Sequence, residues 1–208
     1  MTIDIVPTQT LDVWPALSRQ LGEQAPRELH MLGNASFMRN RLLAFFCSQR
    51  CPGSVLAKMY DLAQILSQQQ ITVVGGFQSP VEQEFLFRLL RSALSVIVCP
   101  ARNLETMRLL PEFEEPLQQG RLLLLSPFPA SVQRLSRPLA VERNRFVAAL
   151  ADRILLAHAS PGGALESLCR ELDGAKKNRF TLQDEANQGL VDLGCSALIL
   201  PEITMLWN

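Results

Sequence analysis

Residues 140–163, AVERNRFVAALADRILLAHASPGG, decide the fold of this chain. Val141, Phe146, Val147, Leu150 and Ala151 recur at helical spacing and give one apolar face, with Arg143, Asn144 and Arg145 expected at the helix start. Ile154 to Ala157 then runs apolar without alternation, as a strand covered on both faces does. Ser160-Pro161-Gly162-Gly163 turns into another helix from Ala164. A strand, a glycine turn and a helix start form a unit in which free backbone N–H groups hold anions.

Outward from this stretch the same alternation continues. Arg41–Cys47, Ile71–Val74, Val96–Cys99 and Leu122–Leu125 read as strands, and Leu29–Leu32, ending at Gly33-Asn34, as a shorter one. Helices are expected over Ser54–Gln68, from Pro80 to Ser92, and in a weaker form around Pro111 and Pro116. Pro127 to Pro138 reads as a proline-rich loop. On the carboxyl side come a helix over Ala164–Leu172, a strand over Lys177–Leu182, a helix over Asp184–Leu193 capped by Gly194, and a last strand over Ala197–Leu200. The pattern predicts an α/β fold, a Rossmann-like, doubly wound and mostly parallel sheet with helices on both faces. Ligands of such sheets sit beyond the carboxyl ends of the strands. Residues 1–26, with Pro7, Pro15 and Pro26, read as an N-terminal extension, and residues 27–208 as one domain.

The composition bounds the function. The chain has 208 residues, 48% of them hydrophobic, and 20 basic against 20 acidic residues, so a polyanion site has to be local. No signal pattern opens the sequence and no apolar run spans a bilayer, which makes the cytoplasm the expected location. The five cysteines are odd in number and scattered, which suits reduced thiols.

The strand ends gather the chemistry-bearing residues: Ser48, Gln49 and Arg50; Gly75, Gly76 and Phe77; Arg102; and the turn Gly162, Gly163 and Ala164. Facing one crevice, they make a local anion site together with Arg143, Asn144 and Arg145. The plainer reading is that each glycine lets the chain turn sharply, and that Arg143 or Arg145 pairs with Glu142. GxGxxG and Walker motifs are absent, so no cofactor is expected. Cys47 and Cys51 have weak spacing for a metal, and none is expected there. His158, at a strand end, fits a hydrogen-bonded structural residue better than a base. Glu82 and Glu84 are candidates for acid–base work or for stabilising the positive end of their helix.

The ordered segments LHMLGN, LLAFFCSQRCPGS, ITVVGGF, LLLLSPF, ERNRFVAALADRILLAHA, GGALESL and GLVDLGC resemble the DNA-processing protein A (DprA, Smf-type) family of the SLOG superfamily. The similarity is to a compact branch with CPGS at Cys51–Ser54, GFxSPxE at Gly76–Glu82 and CPAR at Cys99–Arg102. The resemblance implies a cytoplasmic, dimeric protein that binds single-stranded DNA in a basic pocket and loads a RecA-type recombinase in recombination and natural transformation. By position, Ser48 and Arg50 match the family's Gly-Ser-Arg turn, Gly75 and Gly76 its Ser-Gly turn, Arg143–Arg145 its basic helix start, and Gly162–Ala164 its Ser-Gly-Ser turn. Cys47 stands where the family has glycine, Gln49 lies inside the turn, and Pro80-Val81 replaces Gly-Ile. At this length the family's flanking helical and winged-helix domains are not expected. Single-strand binding also uses stacking aromatics, for which Phe77 and Phe128 are expected near the rim.

The competing reading is a sensor of a nucleotide or nucleotide-derived ligand in the same pocket, or an enzyme. Pro161-Gly162-Gly163 resembles the opening of the Pro-Gly-Gly-x-Gly-Thr-x-x-Glu turn of phosphoribohydrolases, but Leu165, Glu166 and Cys169 break that catalytic pattern. No intact catalytic motif is present. A homodimer partner with a vestigial pocket is the third reading.

Overall fold

The computed structural model describes residues 2–175, 177–205 and 207. Strand β1 (Asp4–Pro7) and helix α1 (Trp14–Leu21) precede β2 (Glu28–Gly33) and β3 (Leu42–Cys47), all six residues of β3 being buried. Three crossovers follow: α2 (Gly53–Leu66) to β4 (Thr72–Gly75), α3 (Pro80–Leu90) to β5 (Ser95–Val98), and α4 (Pro111–Gln118) to β6 (Leu122–Ser126). Helix α5 (Arg137–Leu150) then leads to β7 (Arg153–His158), α6 (Ala164–Glu171) to β8 (Asn178–Leu182), and the short α7 (Gln188–Asp192) to β9 (Ser196–Leu198).

The strands form one sheet in the order β1-β2-β6-β5-β4-β3-β7-β8-β9. From β6 to β9 every neighbouring pair is parallel, and β2 and β1 add an antiparallel edge. This is the α/β, doubly wound sheet the sequence predicts. The chain leaves β3 toward β4, β5 and β6, and α5 then carries it back to β7 on the other side of β3. The connections after β3 and β7 therefore diverge, and a crevice opens between them at the switch point of the sheet.

Successive strand residues face opposite layers. Phe45 packs with Met59 and Phe85 under α2 and α3, whereas its neighbour Phe46 packs with Leu17, Phe146 and Leu165 under α1, α5 and α6. Within residues 1–26, expected as an extension, β1 forms one edge strand of the sheet and α1 contacts α5. Leu17 in that helix is 0% exposed.

One boundary departs from expectation in a way that matters for the site. Helix α5 starts at Arg137, where Ser136 accepts the Leu139 N–H at 3.4 Å and Pro138 occupies the first turn. Pro138 costs nothing there because first-turn amides have no intrahelical partner. Arg143-Asn144-Arg145 thus lies in mid-helix and not at the helix start, and it meets no unfavourable dipole. The last predicted helix is also shorter than expected, a 3-10 turn over Glu185–Asn187 leading into α7. Among the described residues, no helix is long and apolar enough to cross a membrane.

Leu17→Ala should lower the unfolding free energy by about 3 kcal/mol, the usual cost of emptying a fully buried leucine site. Urea denaturation measures it, and a change near zero would mean that α1 is not part of the folded unit.

Candidate functional site

The crevice is assembled from main-chain ends that short polar side chains tie together. Beyond β3, the Ser48 N–H donates to the His158 carbonyl at 3.0 Å, and the Ser48 hydroxyl accepts the Ser160 N–H at 2.9 Å. These bonds join the β3–α2 and β7–α6 turns across the switch point. On the other flank, Ser79 and Glu82 form a capping box at the start of α3. The Glu82 carboxylate also accepts the N–H of Cys47 at 3.0 Å and of Gln78 at 2.9 Å, fastening the end of β3 to the β4–α3 turn.

Arg143 forms the floor. Only 3% exposed, its guanidinium donates from Nη1 to the Cys99 carbonyl at 2.7 Å, from Nη2 to Gln78 Oε1 at 3.2 Å and from Nε to Asn144 Oδ1 at 2.9 Å. Burial pushes its pKa below the usual arginine value, while the charge of nearby Glu82 pushes back. Gly76 makes this position possible, because a Cβ there would lie 1.6 Å from Nη1.

Above this floor lies a cleft of 390 Å³ lined by Ser48, Gln49, Arg50, Asn144, Ser160 and Gly163, among others. Through Asn144, Gly163 and Ala164 it adjoins a second cleft of 220 Å³ bounded by Arg137, Ser167 and Glu171. The two meet at the start of α6.

A family model, DNA recombination-mediator protein A, matches residues 6–201. The chain belongs to that family. Its fold is similar to that of DNA processing protein A (DprA) from Streptococcus pneumoniae, with a TM-score of 0.79 at 16% identity, covering 100% of this chain and 75% of that one. DNA processing protein A from Helicobacter pylori, whose structure describes a single-stranded DNA binding mode, superposes with a TM-score of 0.77 at 16% identity, over 99% of this chain and 95% of its own. At that identity the likeness is one of fold. No curated protein sequence matches the chain.

Within this family fold the expected site residues separate into two groups. Ser48, Gln49, Arg50, Arg143, Asn144, Gly163 and Ala164 line the first cleft, and Gly162 lines the second. Five others lie elsewhere, among them Gly76, which abuts the Arg143 guanidinium beneath the cleft. Gly75 is buried as the last residue of β4. Phe77 is 4% exposed and stacks on Phe45 with ring centroids 6.3 Å apart, so it belongs to the core and not to the rim. Its φ of 47°, unusual for a bulky residue, is held by that packing. Arg102 donates to the Thr106 carbonyl at 3.0 Å and the Thr106 hydroxyl at 2.9 Å, away from both clefts. Arg145 makes a bidentate pair with Glu171 at 2.7 and 2.9 Å, which raises its pKa. That partner comes from α6 rather than from Glu142. Phe128 is also buried.

The glycine turn differs from expectation too. The Gly162 N–H donates to the Glu166 carboxylate and the Gly163 N–H to the Ser160 carbonyl at 2.9 Å, so neither amide is open to an anion. The amides that remain are those of the first turn of α6, from Ala164 onward. Gln78, Ser160 and Arg137 line the clefts without having been among the expected site residues; Gln78 and Ser160 lie in strand-end turns that the sequence marks, but nothing local marks Arg137. His158 is structural, its Nδ1 2.8 Å from Asn187 Oδ1, while the Asn187 amide donates to the Ala157 and Leu182 carbonyls. Glu84 pairs with Arg88 at 3.0 Å on the surface. Among the described residues, no group of three or more His, Cys, Asp or Glu is placed to hold a metal.

Gly76→Ala should displace the Arg143 guanidinium and cost about 2–3 kcal/mol through its lost buried hydrogen bonds. In an Arg143→Met background the same substitution should cost much less. Full additivity of the two in denaturation would show that Gly76 does not act through Arg143.

Proposed function

We propose that this chain binds single-stranded DNA, with a backbone phosphate held between the β3–α2 and β7–α6 turns. The observation that carries this reading is the open, continuous pair of clefts at the switch point, with Arg50 at one end and Arg137 at the other. A phosphate in the first cleft would meet the Arg50 guanidinium, the first-turn amides of α6 and the Ser48 and Ser160 hydroxyls. Its neighbour along the strand would reach the second cleft. The family, and the single-stranded DNA binding described for the Helicobacter pylori protein, support the reading. On this view the protein works in recombination or natural transformation as a homodimer that passes the strand to a RecA-type recombinase.

Arg143 contributes positive potential from below and keeps the cleft in shape, while Arg50 makes direct phosphate contact. Arg145, engaged with Glu171, stays outside.

A second reading is a nucleotide-derived ligand held mainly by its phosphate. It is favoured by the lining of the two clefts, which holds no aromatic side chain among the described residues and so offers bases no stacking platform. A thermal-shift screen of nucleoside monophosphates, with product analysis for ribose 5-phosphate, reads it out.

Fluorescence anisotropy with labelled oligo-dT should show affinity falling log-linearly with salt, and Arg50→Ala should make that slope shallower by about one. Arg145→Ala should change affinity less than twofold, the size expected for a residue outside the cleft. Absence of binding at low salt would overturn the DNA reading, and a nucleotide-induced rise in Tm in the same protein would favour the second.

A further inference from the structure

Away from the clefts, two sulfurs are held in contact. Cys169 on α6 and Cys195 before β9 bring their Sγ atoms to 3.4 Å, on segments distant in sequence. Both positions are fixed by the backbone. Cys169 faces inward on α6 beside Leu165 and Leu168. Cys195 follows Gly194, whose φ of 85° closes α7, and donates its N–H to the Leu190 carbonyl at 3.0 Å.

A cation lies against the pair. Arg179 on β8 donates from Nη1 to the Cys169 carbonyl at 2.6 Å, with the same nitrogen 3.8 Å from the Cys169 sulfur, and from Nη2 to Asp173 at 2.6 Å. Gly194 leaves space for this guanidinium, since a Cβ there would lie 3.0 Å from Nη2. The hydrogen bond from Cys195, aided by Arg179, pulls the Cys169 thiol down to about 7, and the same sharing pushes Cys195 up. One sulfur is therefore poised as thiolate and the other as its proton-bearing neighbour.

We propose that Cys169 and Cys195 form a reversible disulfide site, oxidised by a small hydroperoxide and reduced by a small thiol. The Cys169 thiolate attacks one oxygen of hydrogen peroxide; the O–O bond breaks, Cys169 becomes a sulfenic acid, and the departing hydroxide takes a proton to leave as water. The Cys195 sulfur then attacks the sulfenic sulfur, the S–O bond breaks, and the Cys195 proton leaves with the hydroxyl as a second water. Two thiols and one peroxide thus give one disulfide and two waters. Cys169 is 0% and Cys195 4% exposed, so only a small oxidant reaches them. A sulfur–sulfur bond is about 2.0 Å long, so closure needs a small shift of two side chains already in contact. The oxidised form ties α6, whose first turn lines the cleft, to the α7–β9 connection.

Treating the full chain with hydrogen peroxide, alkylating the remaining thiols and digesting with trypsin without reduction should yield the Cys169 and Cys195 peptides linked, lighter by two hydrogen atoms. The cross-link should raise Tm by roughly 5 °C, reversibly with dithiothreitol. In Cys195→Ser the reaction should stop at a Cys169 sulfenic acid, which dimedone labels when the oxidised protein is unfolded in its presence. Cys169 and Cys195 recovered as separately alkylated peptides, after peroxide has oxidised the half-buried Cys51, would overturn the proposal. So would a Cys195→Ser protein that, oxidised while folded and labelled on unfolding, carries dimedone only at other cysteines. If that variant does not fold, the digest of the unaltered chain still decides.

Discussion

The crevice depends on one buried guanidinium. Placing a charged arginine side chain out of water is costly unless its donors are met, and Arg143 meets them with the Cys99 carbonyl, the Gln78 amide and Asn144. Because those partners sit past β5, past β4 and on α5, one side chain holds three separate elements in register. The notch at Gly76 is the steric condition for this arrangement. A buried charge that loses its partners costs several kcal/mol, so the arrangement is close to all-or-none.

Glu82 applies the same logic with the opposite sign. Its carboxylate collects the N–H groups of Cys47, Gln78 and Ser79 and lies near enough to Arg143 to act on its charge. The two charges therefore work largely on the protein and on each other. What a ligand in the cleft meets directly is the exposed Arg50, with Arg137 beyond Asn144. On the proposed reading, this is how a chain of zero formal net charge presents a cation to an anion in the crevice, whose hydrogen-bonded walls would cost little to organise.

The sheet was legible in the sequence because buried parallel strands have a strong signature: unbroken apolar runs such as Leu122–Leu125 and Ile154–Ala157, each followed by a turn. The outermost strand was not, since β1 is four residues long with Ile5 exposed, and only its pairing with β2 makes it a strand. The beginning of α5 was hidden because Pro138 looks like a loop residue until Ser136 is seen to cap the helix. In the site, strand-end residues such as Ser48 and Arg50 followed from topology alone. Phe77 did not, because local pattern cannot show that an aromatic ring in a glycine-rich turn folds back onto Phe45. Nor does sequence distance reveal that Arg145 meets Glu171, or that Cys169 meets Cys195.

The least expected feature is that the glycine turn already holds an anion of its own. Glu166, in the first turn of α6, reaches back to the Gly162 N–H and is held in place by Arg170, and both bonds lower its pKa. A carboxylate at a helix N-terminus is favourable for the same reason that a phosphate is. The two therefore compete for the positive end of α6. A ligand phosphate near this turn must settle on the Ser48 and Arg50 side, where Glu166 does not reach the lining, or displace the carboxylate toward Arg170. If a strand fills both clefts as proposed, its first phosphate takes the β3 side, and the next, in the second cleft beside Gly162, requires the Glu166 carboxylate to swing toward Arg170.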